Sequence, residues 1–179
     1  MSRPRRVLGM LALVMLLLGI GYAQSSTAGE YQVKAAFLYN FAKFVEWPAS
    51  SFRDGTAPFQ ICVMGRDPFG EGLLNITREK TVNGRRLEVD TVADLEHARS
   101  CHILFVASSA KMPMQQIIEG LRGASVLTVG DTKGFAEQGG MIDFVLQDDR
   151  VQFDVSRTAV EQAGLKISSK LLSVAKVVR

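Results

Sequence analysis

The chain is poor in the residues that carry much of enzyme chemistry. It has two cysteines, two histidines and one tryptophan in 179 residues. Two cysteines allow at most one bridge, which excludes a disulfide-dense miniprotein. No cysteine follows the apolar amino-terminal run, which excludes a lipoprotein anchor there. After that run no stretch is long and apolar enough to span a bilayer. Gly65 and Gly70 lack the lysine and Ser/Thr of a phosphate-binding loop, and there is no dinucleotide fingerprint, zinc motif or nucleophile elbow. With 22% charged residues and ten phenylalanines, the chain is not globally disordered. The length suits one domain.

What is present begins with an address. Arg3, Arg5 and Arg6 precede an uncharged run of about 14 residues, Val7 to Ile20, too short for the roughly 20 that span a bilayer. Gly21 and Ala23 supply the small residues of a cleavage site. This is the pattern of a secretory signal peptide over 1–23, with Sec export; the competing reading is an uncleaved amino-terminal anchor. Cleavage after Ala23 removes three arginines and no acid. The formal charge of +3 then becomes zero, so the basic isoelectric point near 9.0 gives no support to nucleic-acid binding.

Residues 24–29 read as a small polar linker, and 30–179 as one α/β domain. From Glu30 to Trp47, Val33, Ala36, Phe37, Asn40, Phe41, Phe44 and Val45 follow helical spacing, with Lys34, Lys43 and Glu46 off the stripe. Pro48 ends that helix. Phe59–Met64, Ile103–Ala107 and Val126–Val129 read as buried strands, and Leu87–Val92 as a strand exposed on one face. Helices are expected from Asp67-Pro68 to Arg78, over 112–122, 157–163 and 169–177, with Gly164 and Ser168 as caps. Met141–Leu146 and Val151–Phe153 form a late β-hairpin. The expected fold is a mixed, mostly parallel sheet of about six strands flanked by helices.

Cys62 lies in mid-strand and Cys101 just before a strand. In an oxidising compartment they pair if those strands are neighbours; otherwise they are two buried thiols. A Cys–His dyad with His102 is disfavoured, because adjacent residues on a strand point to opposite faces. The polar strand ends Gly65-Arg66-Asp67, Ser108-Ser109 and Gly130-Asp131 are where ligands gather in open α/β sheets, although strand ends need turn residues in any case. Trp47 is either an interface anchor or a plug between helix and sheet. Arg66 and Arg157 are candidate partner contacts. Ser168, Ser169 and Lys170 form a candidate anion site, with plain capping as the alternative.

Four stretches resemble one family in the same order: Lys34 to Pro48 (KAAFLYNFAKFVEWP), Cys62 to Gly70 (CVMGRDPFG), Gly140 to Phe144 (GMIDF) and Ala163 to Leu172 (AGLKISSKLL). The chain is thereby similar to the YfiR family of periplasmic regulators (YfiR/HmsC-like). The resemblance implies a non-enzymatic protein without a cofactor. It would bind and repress the periplasmic domain of a YfiN-like inner-membrane diguanylate cyclase, lowering cyclic di-GMP and biofilm formation. It further implies a possible homodimer, sensitivity to the envelope's redox state, and in some members binding of GMP or tryptophan. Cys62 and Cys101 sit where the family carries a bridge. The second cysteine pair of some relatives is absent, since nothing from Gly134 to Asp154 is a cysteine. The alternative function is a periplasmic small-ligand binding module, for a nucleotide or an aromatic amino acid, feeding a sensor kinase or a transport system.

Overall fold

Two central strands, Ile103–Val106 and Leu127–Gly130, are buried at every position, Thr128 included, because both of their faces are covered. The computed structural model describes residues 20–178. Residues 1–19, which hold most of the expected signal peptide, lie outside the described residues.

The elements in chain order are α1 (Ile20–Phe44), β1 (Val45–Glu46), β2 (Phe59–Met64), α2 (Glu71–Thr77), β3 (Thr81–Val82), β4 (Arg85–Val92), α3 (Leu95–Ala98), β5 (Ile103–Val106), α4 (Met114–Gly120), β6 (Leu127–Gly130), β7 (Ile142–Gln147), β8 (Arg150–Ser156), α5 (Arg157–Gln162), β9 (Lys166–Ile167), α6 (Ser169–Leu172) and β10 (Lys176–Val178). An eight-stranded sheet has the order β10-β8-β7-β6-β5-β2-β4-β3, and β1 pairs with β9 in a separate two-stranded ribbon. The run β4-β2-β5-β6-β7 is parallel, as expected for strands joined by crossovers. β3 and β8 close antiparallel hairpins at its two sides.

The two faces of the sheet carry separate cores. Ile61, Val63, Ile103, Phe105, Leu127 and Val129 pack under α1, whose Leu38, Phe41 and Ala42 are buried. Cys62, Met64, Leu104 and Val106 pack under Ala98 of α3 and Ile117 and Leu121 of α4. The alternation follows from the two-residue period of a strand.

Several boundaries differ from the sequence reading. Residues 24–29, expected as a linker, continue α1. The helix ends at Phe44, because Val45 and Glu46 turn to pair with Ile167 and Lys166. The buried stripe of α1 is Lys34, Ala35, Leu38, Phe41 and Ala42, whereas Val33 is 45% exposed. Lys34, expected off the stripe, is thus inside it. Asp67 caps the Phe69 amide of a turn and α2 starts only at Glu71. The last expected helix, 169–177, is one short helix followed by an edge strand, since Lys176–Val178 finds an open partner in β8. The hairpin β7–β8 therefore lies inside the sheet edge rather than forming it. Ser168 caps α6 and Gly164 adopts a left-handed φ of 72°, as expected.

Candidate functional site

In a doubly wound sheet the ligand crevice lies at the carboxyl ends of the strands, where the strand order reverses. Here the chain passes from β2 to β4 on one side and then returns to β5 on the other, so that place lies between β2 and β5. It is filled by the chain itself. Ser109 Oγ accepts a 2.8 Å hydrogen bond from the Arg66 amide. A Cβ on Gly65 would lie 2.9 Å from the Ala110 nitrogen. At the next strand end, Asp131 accepts hydrogen bonds from Lys34 Nζ at 2.7 Å and the Tyr31 hydroxyl at 2.8 Å. Lys34 also pairs with Glu30 and lies 4.3 Å from the centre of the Tyr31 ring. Burial, together with the Asp131 bond and charge, pushes the Tyr31 hydroxyl far above its ordinary value. These groups fasten α1 to the carboxyl end of β6.

The large depression lies elsewhere, on the α3 face over β2 and β4. Among the described residues the only α-helical residue lining it is His97 of α3. Gln60 and Cys62 of β2 and Asp90 and Val92 of β4 line a cleft of about 620 Å³, walled by the Ser51–Pro58 loop on one side and by His97, Ser100, Cys101 and His102 on the other. The Cys62–Cys101 disulfide forms part of its lining, with Cα atoms 6.0 Å apart. That bridge exists because β2 and β5 are direct neighbours.

The loop wall is held in place by its own polar groups. Asp54 accepts bonds from the Thr56 amide and hydroxyl and the Ala57 amide. Those donors, the Thr56 hydroxyl first, hold its carboxyl below the ordinary range. Arg85 donates from Nη1 to the carbonyls of Asp54 and Ala57, at 2.9 and 2.7 Å. On the opposite wall His97 Nδ1 lies 2.8 Å from Asp94. The hydrogen bond to Asp94 leads the upward shift of its pKa, with Glu96 and Asp90 adding. His102 behaves oppositely. It is 4% exposed, and burial, with a contribution from the Arg85 charge, lowers its pKa to about 4 against the opposing pull of the Ser51 backbone, which favours the protonated ring.

The residues singled out in the sequence fall in separate places. Trp47 is half-buried; its indole donates to the His102 carbonyl at 3.2 Å and meets the Phe59 ring edge-on at 4.8 Å. Arg66 is exposed beyond the end of β2. Arg157 starts α5, lies 3.5 Å from Glu161, and lines a hollow of about 210 Å³ with Lys166 and Ile167. Ser168 accepts from the Leu171 amide, Ser169 opens α6, and the Lys170 ammonium lies 5.2 Å from the Phe44 ring centre. Of the residues named from the sequence, Cys62, Cys101 and the dyad candidate His102 line the large cleft. Sequence reasoning missed Phe52, Arg85 and the buried role of His102, because their contacts join segments remote in sequence. Among the described residues no group of acids, histidines and cysteines is arranged to hold a metal, and no helix is long and apolar enough to cross a membrane.

The described residues thus form a mostly parallel α/β domain with one disulfide. The chain belongs to the YfiR/HmsC-like family, whose model matches residues 31–176. That is a family of periplasmic regulators of cyclic di-GMP signalling. No curated protein matches the chain. A solved structure described as a conserved domain protein from Vibrio cholerae O1 biovar El Tor is similar at 15% identity over 67% of this chain, with a TM-score of 0.47. The match spans 54% of that protein's length.

Proposed function

We propose that the mature protein is a periplasmic, non-enzymatic repressor that binds the periplasmic domain of an inner-membrane diguanylate cyclase and holds it in its inactive state. The observation that carries this reading is the family match over residues 31–176, nearly the whole domain. Export by a cleavable signal peptide, 1–23, belongs to the same reading and rests on the basic, apolar and small-residue order of the leader. Repression needs no chemistry. A regulator that binds the inactive conformer more tightly shifts the cyclase towards it by that difference in affinity. Deleting the gene should raise cellular cyclic di-GMP and surface attachment, and the intact gene should restore both. Unchanged cyclic di-GMP under conditions where the protein is expressed would refute the proposal.

A second reading, a small-ligand binding module, is favoured by the cleft beside the disulfide, whose volume of about 620 Å³ suits a small organic molecule. It moves the candidate site away from the filled strand ends. A thermal-shift screen of nucleotides and aromatic amino acids, followed by capture of membrane partners, separates the two readings.

A further inference from the structure

His102 lies in a cluster of rings with Phe52, Phe59 and Trp47, each of which also meets another ring of the cluster. The Arg85 guanidinium carbon lies 3.9 Å from the Phe52 ring centre, Phe52 stacks on His102 at 4.4 Å, and His102 stacks on Phe59 at 4.7 Å. Trp47 meets Phe59 edge-on at 4.8 Å and His102 at 6.3 Å. His102 Nδ1 accepts a 2.9 Å hydrogen bond from the Gln60 amide. A nitrogen that accepts cannot carry a proton, so the ring is neutral with its hydrogen on Nε2. Nε2 is buried and has no partner that meets hydrogen-bond geometry.

A second proton has no place in this arrangement. It would put an N–H at Nδ1, facing the Gln60 N–H. The attraction of two phenyl faces for an imidazolium offsets part of that cost. The surrounding charges do not supply the rest. β4 contributes Arg85, on the far face of Phe52, and Glu88, which the Gln60 side-chain amide holds at 2.8 Å. The loop contributes Arg53 and Asp54, and the cleft adds Asp90 and His97. Asp54 is occupied by Thr56 and Ala57, and His97 by Asp94. Among the described residues none of these carboxylates bonds the His102 ring.

We propose that His102 is an acid-operated latch on the large cleft: a proton taken from solvent breaks its bond from Gln60, frees the ring from Phe52, and releases the Ser51–Phe52 end of the loop wall, while Arg85 keeps hold of the Asp54 and Ala57 carbonyls. Moving the ring uncovers that end of the wall while the sheet, tied by the Cys62–Cys101 bridge, stays in place. The exported location proposed above bears only on when the latch would meet acid; the latch itself is a property of the purified protein.

Trp47, the single tryptophan, reports directly because its indole bonds the His102 carbonyl. Tryptophan emission and far-ultraviolet circular dichroism are followed together from pH 7 to pH 3. The expected result is a reversible emission step near pH 4, complete before the circular dichroism signal is lost. His102→Phe keeps the stack without a titrating nitrogen, and His102→Gln keeps an acceptor for Gln60; the step should vanish in whichever variant folds. A step that persists in a folded variant overturns the latch. So does a wild-type emission change that occurs only together with unfolding. Either failure leaves the regulatory reading standing, because that rests on cyclic di-GMP levels in cells.

Discussion

The ammonium of Lys34 is 5% exposed and meets Asp131, itself 7% exposed, with Glu30 as a second acid partner. A buried pair of this kind adds little beyond an apolar replacement of both residues, but removing one partner leaves the other charged and dry. Lys34→Met should therefore destabilise the protein by about 3 kcal/mol or more, measured by urea unfolding. The double variant Lys34→Met/Asp131→Leu should recover much of that loss. At the same scale, Gly65 has a φ of 101° and no room for a Cβ beside Ala110. Gly65→Ala should cost about 1–3 kcal/mol, read as a lower urea midpoint. The sequence places Lys34 off the apolar stripe, as a solvated charge, and Asp131 as an ordinary strand-end residue. Nothing local to either position shows that they meet across 97 residues.

At the scale of elements, the disulfide ties β2 to the entry of β5 across a sequence separation of 39. A loop of that length gives roughly 4 kcal/mol of stabilisation in the chain-entropy treatment. The double variant Cys62→Ala/Cys101→Ala should lose about that much, seen as a lower urea midpoint with the fold retained, and reduction of the wild type should match it. The strands were the most legible elements, because short, largely apolar runs bounded by turn residues are too short for a typical helix. The turn at Asn83-Gly84, with φ of 52° and 79°, carries a hairpin signal readable from the dipeptide alone, and it explains the short β3 that the sequence reading left out. The helix starts were less legible. Asp67-Pro68 looks like a cap, but the fold uses Asp67 for a turn at Phe69 and places α2 further on. The segment after α6 is a strand only because β8 offers an open edge beside it.

At the scale of the whole molecule, folded His102 binds its proton less readily than the unfolded chain does, with a pKa lowered from 6.5 to about 4. The sign follows from linkage: where the unfolded state holds more protons, stability falls as pH falls. The His102 contribution is fully present above about pH 6.5 and is lost progressively down to about pH 4. The melting temperature should fall over that window, and His102→Phe should flatten the fall. Asp143 acts in the other direction, since burial raises its carboxyl and favours the protonated form in the fold. Intact mass of the exported protein should show a chain that begins at Gln24; a chain that retains the leader would contradict the cleavage site read from the sequence.

The sequence by itself determined the single possible bridge, the alternation of buried strands with helices and the equal numbers of acids and bases after residue 23, and it is the basis of the proposed export address. These follow from composition and from short-range periodicity, which depend on neighbours within a few residues. The tertiary structure alone decided that the carboxyl-end crevice is filled, that Lys34 belongs to the core, and that the open cleft lies on the other face beside the bridge. It also decided that His102 is a neutral ring held by Gln60, 42 residues away. Those outcomes depend on which distant groups the sheet order brings into contact, and hydrogen bonding and burial act through that proximity rather than through position along the chain.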